Sequence, residues 1–574
     1  MENKVKLQID KQTIEVSEGS TILDAAKSVG IDVPVLCYHP DLSLHGACRV
    51  CVVEEEESGE LLASCAAPVN AGMKINTRSI KARKARRRNV ELLLANHPND
   101  CLGCNRNGSC ELQDITYDLG ITKEDIERVS GAVREHEIDD VGPALRRDLN
   151  KCILCGRCVR ICEEVQGVSA LQFTQRGFNS VVTTAFDMPQ RDVNCANCGQ
   201  CASVCPVGAI NEKSEIEKVW SALEDDDIHV IVQTAPSIQA TLGEEFGMRA
   251  GSVVTGKMVA ALRRLGFDKI FSTDFAADLT ILEEGSEFLK KLEGEGTLPH
   301  ITSCCPGWVK YAEHNYSDLL NHLSSAKSPM QMFSALGKTY YPQQSGVKAK
   351  DVYTVAIMPC TAKKFEKDRE EINATRFKDT DAVLTTRELA RMIKEMGINF
   401  SKLADEDFDE LMGTSTGAGT IFGTTGGVAE AAVRTVKEKL TGEPLEQLNL
   451  GFRGVNFAEV EIGDRTVKIA IANGLGNAEK LLEACREGDC ECDFIEVMAC
   501  PHGCVGGGGQ PRPATKEKKI KRGTGLSGID DKSVVRKSHK NPQVIKLYKE
   551  FLGEPMSGES HHLLHTTYKS RPKN

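Results

Sequence analysis

Residues 152–162 read CILCGRCVRIC and residues 195–205 read CANCGQCASVC, the second followed by Pro206. The spacing Cys-x2-Cys-x2-Cys-x3-Cys therefore occurs twice within one short region. Thiolates are soft ligands, and eight of them at these intervals call for iron–sulfur or zinc chemistry rather than for a packed core. The wider composition agrees. The chain has 574 residues and 23 cysteines. Its start, MENKVKLQID, lacks the apolar run of a secretory signal and any twin-arginine signal. A cytoplasmic protein is expected, and there a disulfide framework is excluded because thiols are kept reduced. The formal net charge of -11 argues against a general nucleic-acid role. No run of about 18 apolar residues offers a membrane span. Length alone calls for several domains.

The two repeated runs match the bacterial two-cluster ferredoxin pattern, in which the fourth cysteine of each run serves the other cluster. Cys152, Cys155, Cys158 and Cys205 are thus predicted to hold one 4Fe-4S cluster, and Cys195, Cys198, Cys201 and Cys162 a second. This domain is placed at 146–212. Upstream, alternation at Val5, Leu7, Ile9 and then Ile14, Val16 predicts a hairpin, and Ser20 or Thr21 can cap a helix over 21–29. Cys37, Cys48, Cys51 and Cys65 follow. That set resembles a plant-type 2Fe-2S ferredoxin domain, expected over 1–80, with a longer first gap than plant ferredoxins have; four zinc ligands are the alternative. The basic run Arg78, Lys81, Arg83, Lys84, Arg86, Arg87, Arg88 opens a helix reaching Leu92–Leu94. It reads as a solvated face, with docking of an acidic redox partner as the other reading. His97, Cys101, Cys104 and Cys110 could alone bind zinc. In this order they resemble the Cys3His 4Fe-4S module shared by certain hydrogenases and the iron–sulfur subunit of respiratory NADH dehydrogenase, here with its linker over 81–145.

Beyond residue 213 the pattern becomes one of alternating strands and helices. HVIVQT (229–234), VYTVAIM (352–358), VKIAIA (467–472) and FIEVM (494–498) read as buried strands, and Pro236-Ser237 is expected to begin a helix. Each apolar run ends at a loop carrying glycine or cysteine, the α/β habit of placing function at carboxyl ends of strands. TSCCPGW (302–308), MPCTAKK (358–364), STGAGTIFGTTGG (415–427) and MACPHGCVGGGGQP (498–511) must be explained together. Cys305, Cys360, Cys500 and Cys504 supply four thiolates from three strand ends. Cys500 and Cys504 are spaced i, i+4, which a helical turn would place on one face. The glycine runs permit close backbone approach and offer unhindered amide donors, suiting a bulky anionic inorganic centre.

TSCCPGW, MPCTAKK and EVMACPHGCVGGGGQP resemble the three signatures of FeFe-hydrogenases, and the likeness spans essentially the whole chain. It implies a multidomain α+β and α/β protein: a ubiquitin-like 2Fe-2S domain, the Cys3His module, a two-cluster ferredoxin domain, and a catalytic α/β domain over 213–574. It implies one 2Fe-2S cluster, three accessory 4Fe-4S clusters, and an active-site 4Fe-4S cubane bridged to a diiron azadithiolate unit with CO and cyanide ligands. Carried over residue by residue, Cys305, Cys360, Cys500 and Cys504 hold the cubane, with Cys504 the bridge. Lys363 donates to a cyanide, and Pro236, Ser237, Met358, Phe422 and Met498 line the diiron pocket. The family's proton relay falls on Cys304, Glu284, Ser324 and Glu287. Glu283 reads as a solvated helix residue. Lys291 stands where the family often has arginine, and Met330 where glutamine is common.

Two other function classes compete. An electron-transfer subunit of an NADH or formate dehydrogenase shares the N-terminal modules but would continue into a molybdopterin-type domain. A non-enzymatic iron–sulfur scaffold of the cytosolic assembly type lacks the ferredoxin array and the signature set. The segments STGAGTIFGTTGGVAEAAVRT and KSHKNPQVIKLYKEFLGEP resemble catalytic subunits of NAD(P)-linked, electron-bifurcating hydrogenase complexes. The partners then implied are a flavoprotein NAD(P)-binding subunit, a small 2Fe-2S subunit and ferredoxin; a stand-alone ferredoxin-dependent hydrogenase is the alternative. The glycine run at 506–509 lacks the strand–turn–helix context of a nucleotide fingerprint. Cys485, Cys490 and Cys492 lack a fourth ligand and read as surface thiols. His561, His562 and His565 read as an ordinary helix, packed or exposed.

Overall fold

The computed structural model describes residues 3–443, 449, 451 and 456–571. At the N-terminus, Lys4–Ile9 and Gln12–Ser17 form the expected hairpin, with Lys4 opposite Ser17 and Ile9 opposite Gln12. Lys74–Asn76 joins the first of these strands in parallel, extending the sheet toward Val52–Glu55 and Leu61–Ala63. The helix that follows spans Ile22–Ser28 and buries Ile22, Leu23, Ala25 and Ala26. It starts one residue later than expected because Thr21 is its cap: its hydroxyl accepts from the Asp24 amide while the Asp24 carboxylate accepts from the Thr21 amide.

Helix Ile80–Leu94 carries the basic run, capped by Ser79. Only part of the run is solvated. Arg86 is buried and its Nε donates to the Val52 carbonyl at 2.8 Å, which fixes the helix on the sheet. Arg87 donates to the carbonyls of Leu119 and Gly120. Lys81, Arg83, Lys84 and Arg88 remain exposed.

The two cysteine runs fold alike. Gly156 and Gly199 each sit at φ +70°, where a side chain is disfavoured, and each turns the chain into a one-turn helix, Arg157–Arg160 or Gln200–Val204. Leu154 and Asn197, at φ +54° and +56°, repeat the same geometry one step earlier. The two halves are joined by the antiparallel pair Leu145–Arg147 and Ile210–Glu212.

The rest of the chain is built on two four-stranded sheets. We label their strands β1 (His229–Thr234), β2 (Lys269–Ser272), β3 (His300–Ile301), β4 (Val352–Met358), β5 (Ala382–Thr385), β6 (Phe457–Ile462), β7 (Arg465–Asn473) and β8 (Phe494–Met498). One sheet runs β2-β1-β4-β5, all parallel. The other runs β3-β8-β7-β6, parallel except for the edge hairpin β6–β7. Strands β1, β4, β5 and β8 are buried almost throughout, as strands covered on both faces must be. The helices used below are α1 (Thr273–Leu292), α2 (Pro306–Asn315), α3 (Leu475–Glu487) and α4 (Lys516–Lys532). The segment after β1 differs from expectation. Two 3-10 turns, Pro236–Ala240 and Leu242–Phe246, replace one continuous helix. Val254 and Thr255 reach Gln239 between them, so the chain is pinned by tertiary contacts rather than by a helical ladder.

Candidate functional site

Four thiol cradles lie in the N-terminal third. Cys51 and Cys65 bring their sulfurs to 3.3 Å, and the Cys37 thiol contacts both Cys48 and Cys65, so this set converges as its spacing requires. In the next module Cys101, Cys104 and Cys110 are half-buried, and the Nε2 atom of His97 is buried without a hydrogen-bond partner. Its Nδ1 accepts from the Asn99 amide, which fixes the ring and leaves Nε2 as the free electron pair. An orphaned buried nitrogen costs on the order of 1–3 kcal/mol unless something binds it. An iron in this cradle would satisfy it. Cys152, Cys155, Cys158 and Cys205 line one small cavity together. Cys162, Cys195, Cys198 and Cys201 cluster: burial raises the pKa of Cys162, Cys198 and Cys201, and neighbouring thiols of the set, Cys195 among them, add to it.

These cradles abut one another and end at the two-sheet domain. A Cβ on Gly208 would stand 2.7 Å from the Cys104 sulfur, so the Cys3His module and the ferredoxin pair are in direct contact. Arg157 clamps them with a two-pronged bond to Glu111, both arms 2.8 Å. At the far end, a Cβ on Gly199 would lie 2.3 Å from Thr361 Oγ1, and one on Gly508 2.4 Å from the Cys198 carbonyl. Thr361 Oγ1 donates to the Asn197 carbonyl at 2.7 Å. The glycines therefore let the second ferredoxin cradle press against the loops that carry Cys360 and Cys504.

Between the two sheets, where strands β1, β3, β4 and β8 end, lies a cavity of about 80 Å³. Its wall includes Cys304, Cys305, Cys360, Cys500 and Cys504, together with Pro236, Met358, Phe422, Met498 and Lys363. Ser237 stands behind this wall, its Oγ accepting from Gln510 Nε2. Cys305 caps α2, with Pro306 at its first position. Cys360 follows β4 by one residue beyond Pro359. Cys500 and Cys504 are joined by a tight turn rather than the expected helical one: the Gly503 amide donates to the Cys500 carbonyl at 3.0 Å, and His502 and Gly503 sit at φ +65° and +83°. A Cβ at Gly503 would come within 2.6 Å of the Thr425 amide nitrogen, so the glycine-rich loop 415–427 packs there directly. That loop is tied to α1 by Asp274, which accepts from Thr420 Oγ1, and by Asp278, which accepts from the Thr416 amide and hydroxyl.

The chemistry of the wall is unusual for a protein interior. Burial, reinforced by the neighbouring thiols, pushes Cys360 up to about 12 and Cys500 well above the ordinary range. Four thiols so placed become thiolates only when a cation arrives, which an iron–sulfur cluster supplies. Among the described residues Lys363 is the one ammonium in the wall. Burial alone would lower its pKa, but Glu366 at 2.8 Å outweighs that and holds it above the ordinary value. Its Nζ also donates to the Cys304 carbonyl at 3.2 Å. The four sulfurs, the apolar surround and this single cation fit a bulky anionic cluster.

From Cys304 a line of polar groups leads away. Glu284 on α1 is fully buried, and neither carboxyl oxygen has a hydrogen-bond partner. Burial and the nearby Glu287 push it up to about 8, so it carries its proton at neutral pH. Ser324 Oγ donates to Glu287 at 2.8 Å. Lys291 Nζ lies 3.6 Å from Glu287 and donates to the His322 carbonyl. Lys291 is only 7% exposed, so the line stops just short of the surface.

Three features of this region escaped the sequence. Glu283 is not solvated: it is fully buried, accepts from the Tyr548 hydroxyl and the Met556 amide, and pairs with His565 at 3.0 Å. One residue along α1 turns it away from Glu284 and toward the C-terminal segment, a placement that depends on residues 265 to 282 positions later. His300 is fully buried, with both ring nitrogens unpartnered and Nε2 3.7 Å from Glu284. Burial lowers it to about 3, so the ring is neutral. Glu496, on β8, accepts from the amides of Gly426 and Ala429 at the start of a helix, yet burial still raises it to about 7. A lone acid or histidine in an apolar strand gave no spacing signal to find either by.

Comparison with known proteins places these features in context. The family described as iron only hydrogenase large subunit, C-terminal domain, matches residues 228–508, and iron hydrogenase small subunit matches 516–571. A 2Fe-2S iron-sulfur cluster binding domain matches 2–79, the NADH-ubiquinone oxidoreductase-G iron-sulfur binding region 86–125, and the ferredoxin-like domain of NADH-quinone oxidoreductase subunit 3 matches 142–211. The chain is 49% identical over 583 residues to the NADP-reducing hydrogenase subunit HndD of Solidesulfovibrio fructosivorans, covering 99% of each. It is 41% identical to iron hydrogenase 1 of Clostridium pasteurianum, over 96% of this chain and 97% of that one. A solved structure of FeFe-hydrogenase HydA1 from Chlamydomonas reinhardtii aligns with a TM-score of 0.55 at 39% identity, covering 62% of this chain and 99% of that one.

Proposed function

This chain belongs to the FeFe-hydrogenase family and is an oxidoreductase acting on H2; from that premise we propose how its residues divide the work. The observation that carries the reading is the cavity between the sheets, where five thiols and one ammonium meet in an apolar wall. Cys305, Cys360, Cys500 and Cys504 would hold the cubane, and Cys504 would be the ligand shared with the diiron unit. When bound, that unit supplies the open metal position at which H2 is formed or split. Lys363 provides a buried charged donor for a cyanide ligand, and Pro236, Met358, Phe422 and Met498 exclude water around it, with Ser237 behind them. Cys304 passes a proton between the cavity and Glu284. Ser324 and Glu287 continue the path toward Lys291.

The cradles described above would hold one 2Fe-2S and three 4Fe-4S clusters, which would supply the path for electrons. The contact of Gly199 and Gly508 supports electron transfer from the second ferredoxin cluster to the cubane. The catalytic domain starts near residue 213 and the cluster domains precede it. We propose further that the chain is the catalytic subunit of an NAD(P)-linked, electron-bifurcating complex with a flavoprotein subunit, a small 2Fe-2S subunit and ferredoxin, in the cytoplasm. Full-length similarity to an NADP-reducing hydrogenase subunit supports this. No helix among the described residues is long and apolar enough to cross a membrane.

The test is reconstitution with the diiron cofactor. Infrared bands from CO and cyanide together with H2 evolution from a strong reductant are expected, and protein that binds the cofactor yet evolves no H2 would refute the assignment. For the complex, purification from the native cell should bring a flavoprotein along. A chain that elutes alone, fully active with ferredoxin only, would make the stand-alone alternative correct.

A further inference from the structure

Three cysteines, Cys485, Cys490 and Cys492, belong neither to a cradle nor to the cavity wall. Cys485 lies in the last turn of α3, and Cys490 and Cys492 lie on the short link to β8; all three are half-buried. They pack together against the apolar cluster that includes Leu482, Ile495 and Trp308, rather than standing free as surface thiols. Cys490 lies beside Cys485 on one side and Cys492 on the other, near enough that its thiol adds to burial in raising the pKa of each.

The link between them is folded back and held. Gly488, at φ +83°, ends the helix, and the Asp489 amide donates to the Ala484 carbonyl at 2.8 Å. Beyond the thiols, the Lys468 amide donates to the Asp493 carboxylate and the His300 amide to the Asp493 carbonyl, both at 2.8 Å. Cys490 is thereby returned beside Cys485 without a long flexible loop.

We propose that Cys485, Cys490 and Cys492 form a thiol–disulfide exchange site in which Cys490 makes a reversible disulfide with Cys485. The oxidant is a low-molecular-weight disulfide. The Cys490 thiolate attacks one of its sulfurs and releases one thiol; the Cys485 thiolate then displaces the second. One S–S bond forms in the protein and one is lost from the reagent, which gains two electrons and leaves as two thiols with the two protons. Half-burial leaves the sulfurs reachable by a small reagent, and exposed or strained disulfides are the easily reduced, regulatory kind. Closure between Cys490 and Cys492, one residue apart, would distort the backbone far more than closure to Cys485. The position has reach. Near the N-terminal end of α3, a Cβ on Gly167 would meet Glu479 and Gly476, beside the turn that carries Cys162. Past the thiols, β8 leads directly to Cys500. The site is independent of the hydrogenase assignment.

The experiment uses the full-length, cluster-loaded protein, kept anaerobic, with oxidised glutathione as probe. After quenching in denaturant with a maleimide and digestion with trypsin, which cuts after Arg486, a Cys485–Cys490 bond must join two separate peptides. That joined species is expected under oxidising poise, lost with dithiothreitol, and absent from Cys490→Ser, while reduced Cys490→Ser keeps the parent's H2 turnover. Should Cys490→Ser fail to fold, Cys485→Ser must lose the same joined species. A bond confined to Cys490 and Cys492 within one peptide, persistent glutathione adducts, or no reaction would each overturn the proposal.

Discussion

On the proposed assignment, the ferredoxin cradles and the catalytic cavity would each hold an iron–sulfur cube, by opposite routes. In the first, six of eight thiols come from two runs of seven residues, and a left-handed glycine in each run makes the turn. In the second, the thiols arrive from the ends of β3, β4 and β8, separated by up to about two hundred residues, and the loops interlock through glycines that a Cβ would drive into backbone. A local cradle can fold around its cluster and needs only that the cluster be enclosed. A cavity assembled from strand ends can in addition place a lysine, an unpartnered acid and a spare thiol around its contents. The difference is between storage of an electron and chemistry with a proton.

The largest expected effect tests whether Cys304 belongs to that chemistry. Cys304→Ala should cut H2 turnover by about 10²–10⁴-fold, the range for losing a positioned proton donor, while the CO and cyanide bands remain. Loss of the bands would instead make Cys304 part of the cradle. Glu284→Gln should cost about 10²-fold by the same reasoning, and it carries a second signature. Because the folded protein holds this carboxyl at about 8, above its ordinary value near 4.5, the folded state binds the extra proton between those limits. Stability from this group is therefore present at low pH and declines as pH rises from about 4.5 to 8. Melting curves of the glutamine variant should be flatter across that window; identical pH slopes would mean that Glu284 is not the titrating group.

A smaller effect separates the two kinds of cradle. Cys155→Ser should remove one accessory cluster from the electron paramagnetic resonance spectrum and lower turnover with a protein electron donor by roughly tenfold, equivalent to about 1.4 kcal/mol of barrier. Turnover with a small dye that reaches the cavity's own cluster should stay nearly unchanged. Equal losses with both donors would mean that the ferredoxin domain also holds the catalytic domain in shape.

How much could be read in advance follows the same division. Local cradles were legible because their ligands are spaced by the turn that holds them, and strands β1, β4 and β8 because burial on both faces leaves an unbroken apolar run. The three signature loops were legible only through resemblance, since nothing in Cys305 announces Cys360. What stayed hidden depended on contacts between distant segments. Glu283 read as solvated because its partners Tyr548 and His565 lie in the C-terminal segment. The Cys500–Cys504 turn read as helical because i, i+4 spacing fits a helix, whereas Gly503 is pressed against Thr425 and adopts a conformation that no helix contains. The break after Pro236 belongs with these.

His300 gives the smallest effect and the sharpest test of where the proton path begins and ends. The imidazole lies between Phe288 and Phe494, ring centroids 5.6 and 5.5 Å away, with two unsatisfied nitrogens. If the ring only fills space, His300→Phe removes those nitrogens without changing the packing. The protein should then melt higher, by the equivalent of about 1–3 kcal/mol, with turnover preserved. If instead its Nε2, 3.7 Å from Glu284, shares a proton with that acid, the variant should still fold but lose turnover most strongly at the alkaline end, where Glu284 no longer keeps its proton unaided. The first result would confine the path to Cys304, Glu284, Ser324 and Glu287; the second would widen it by one residue on a strand, where Glu284 and Glu287 sit on a helix.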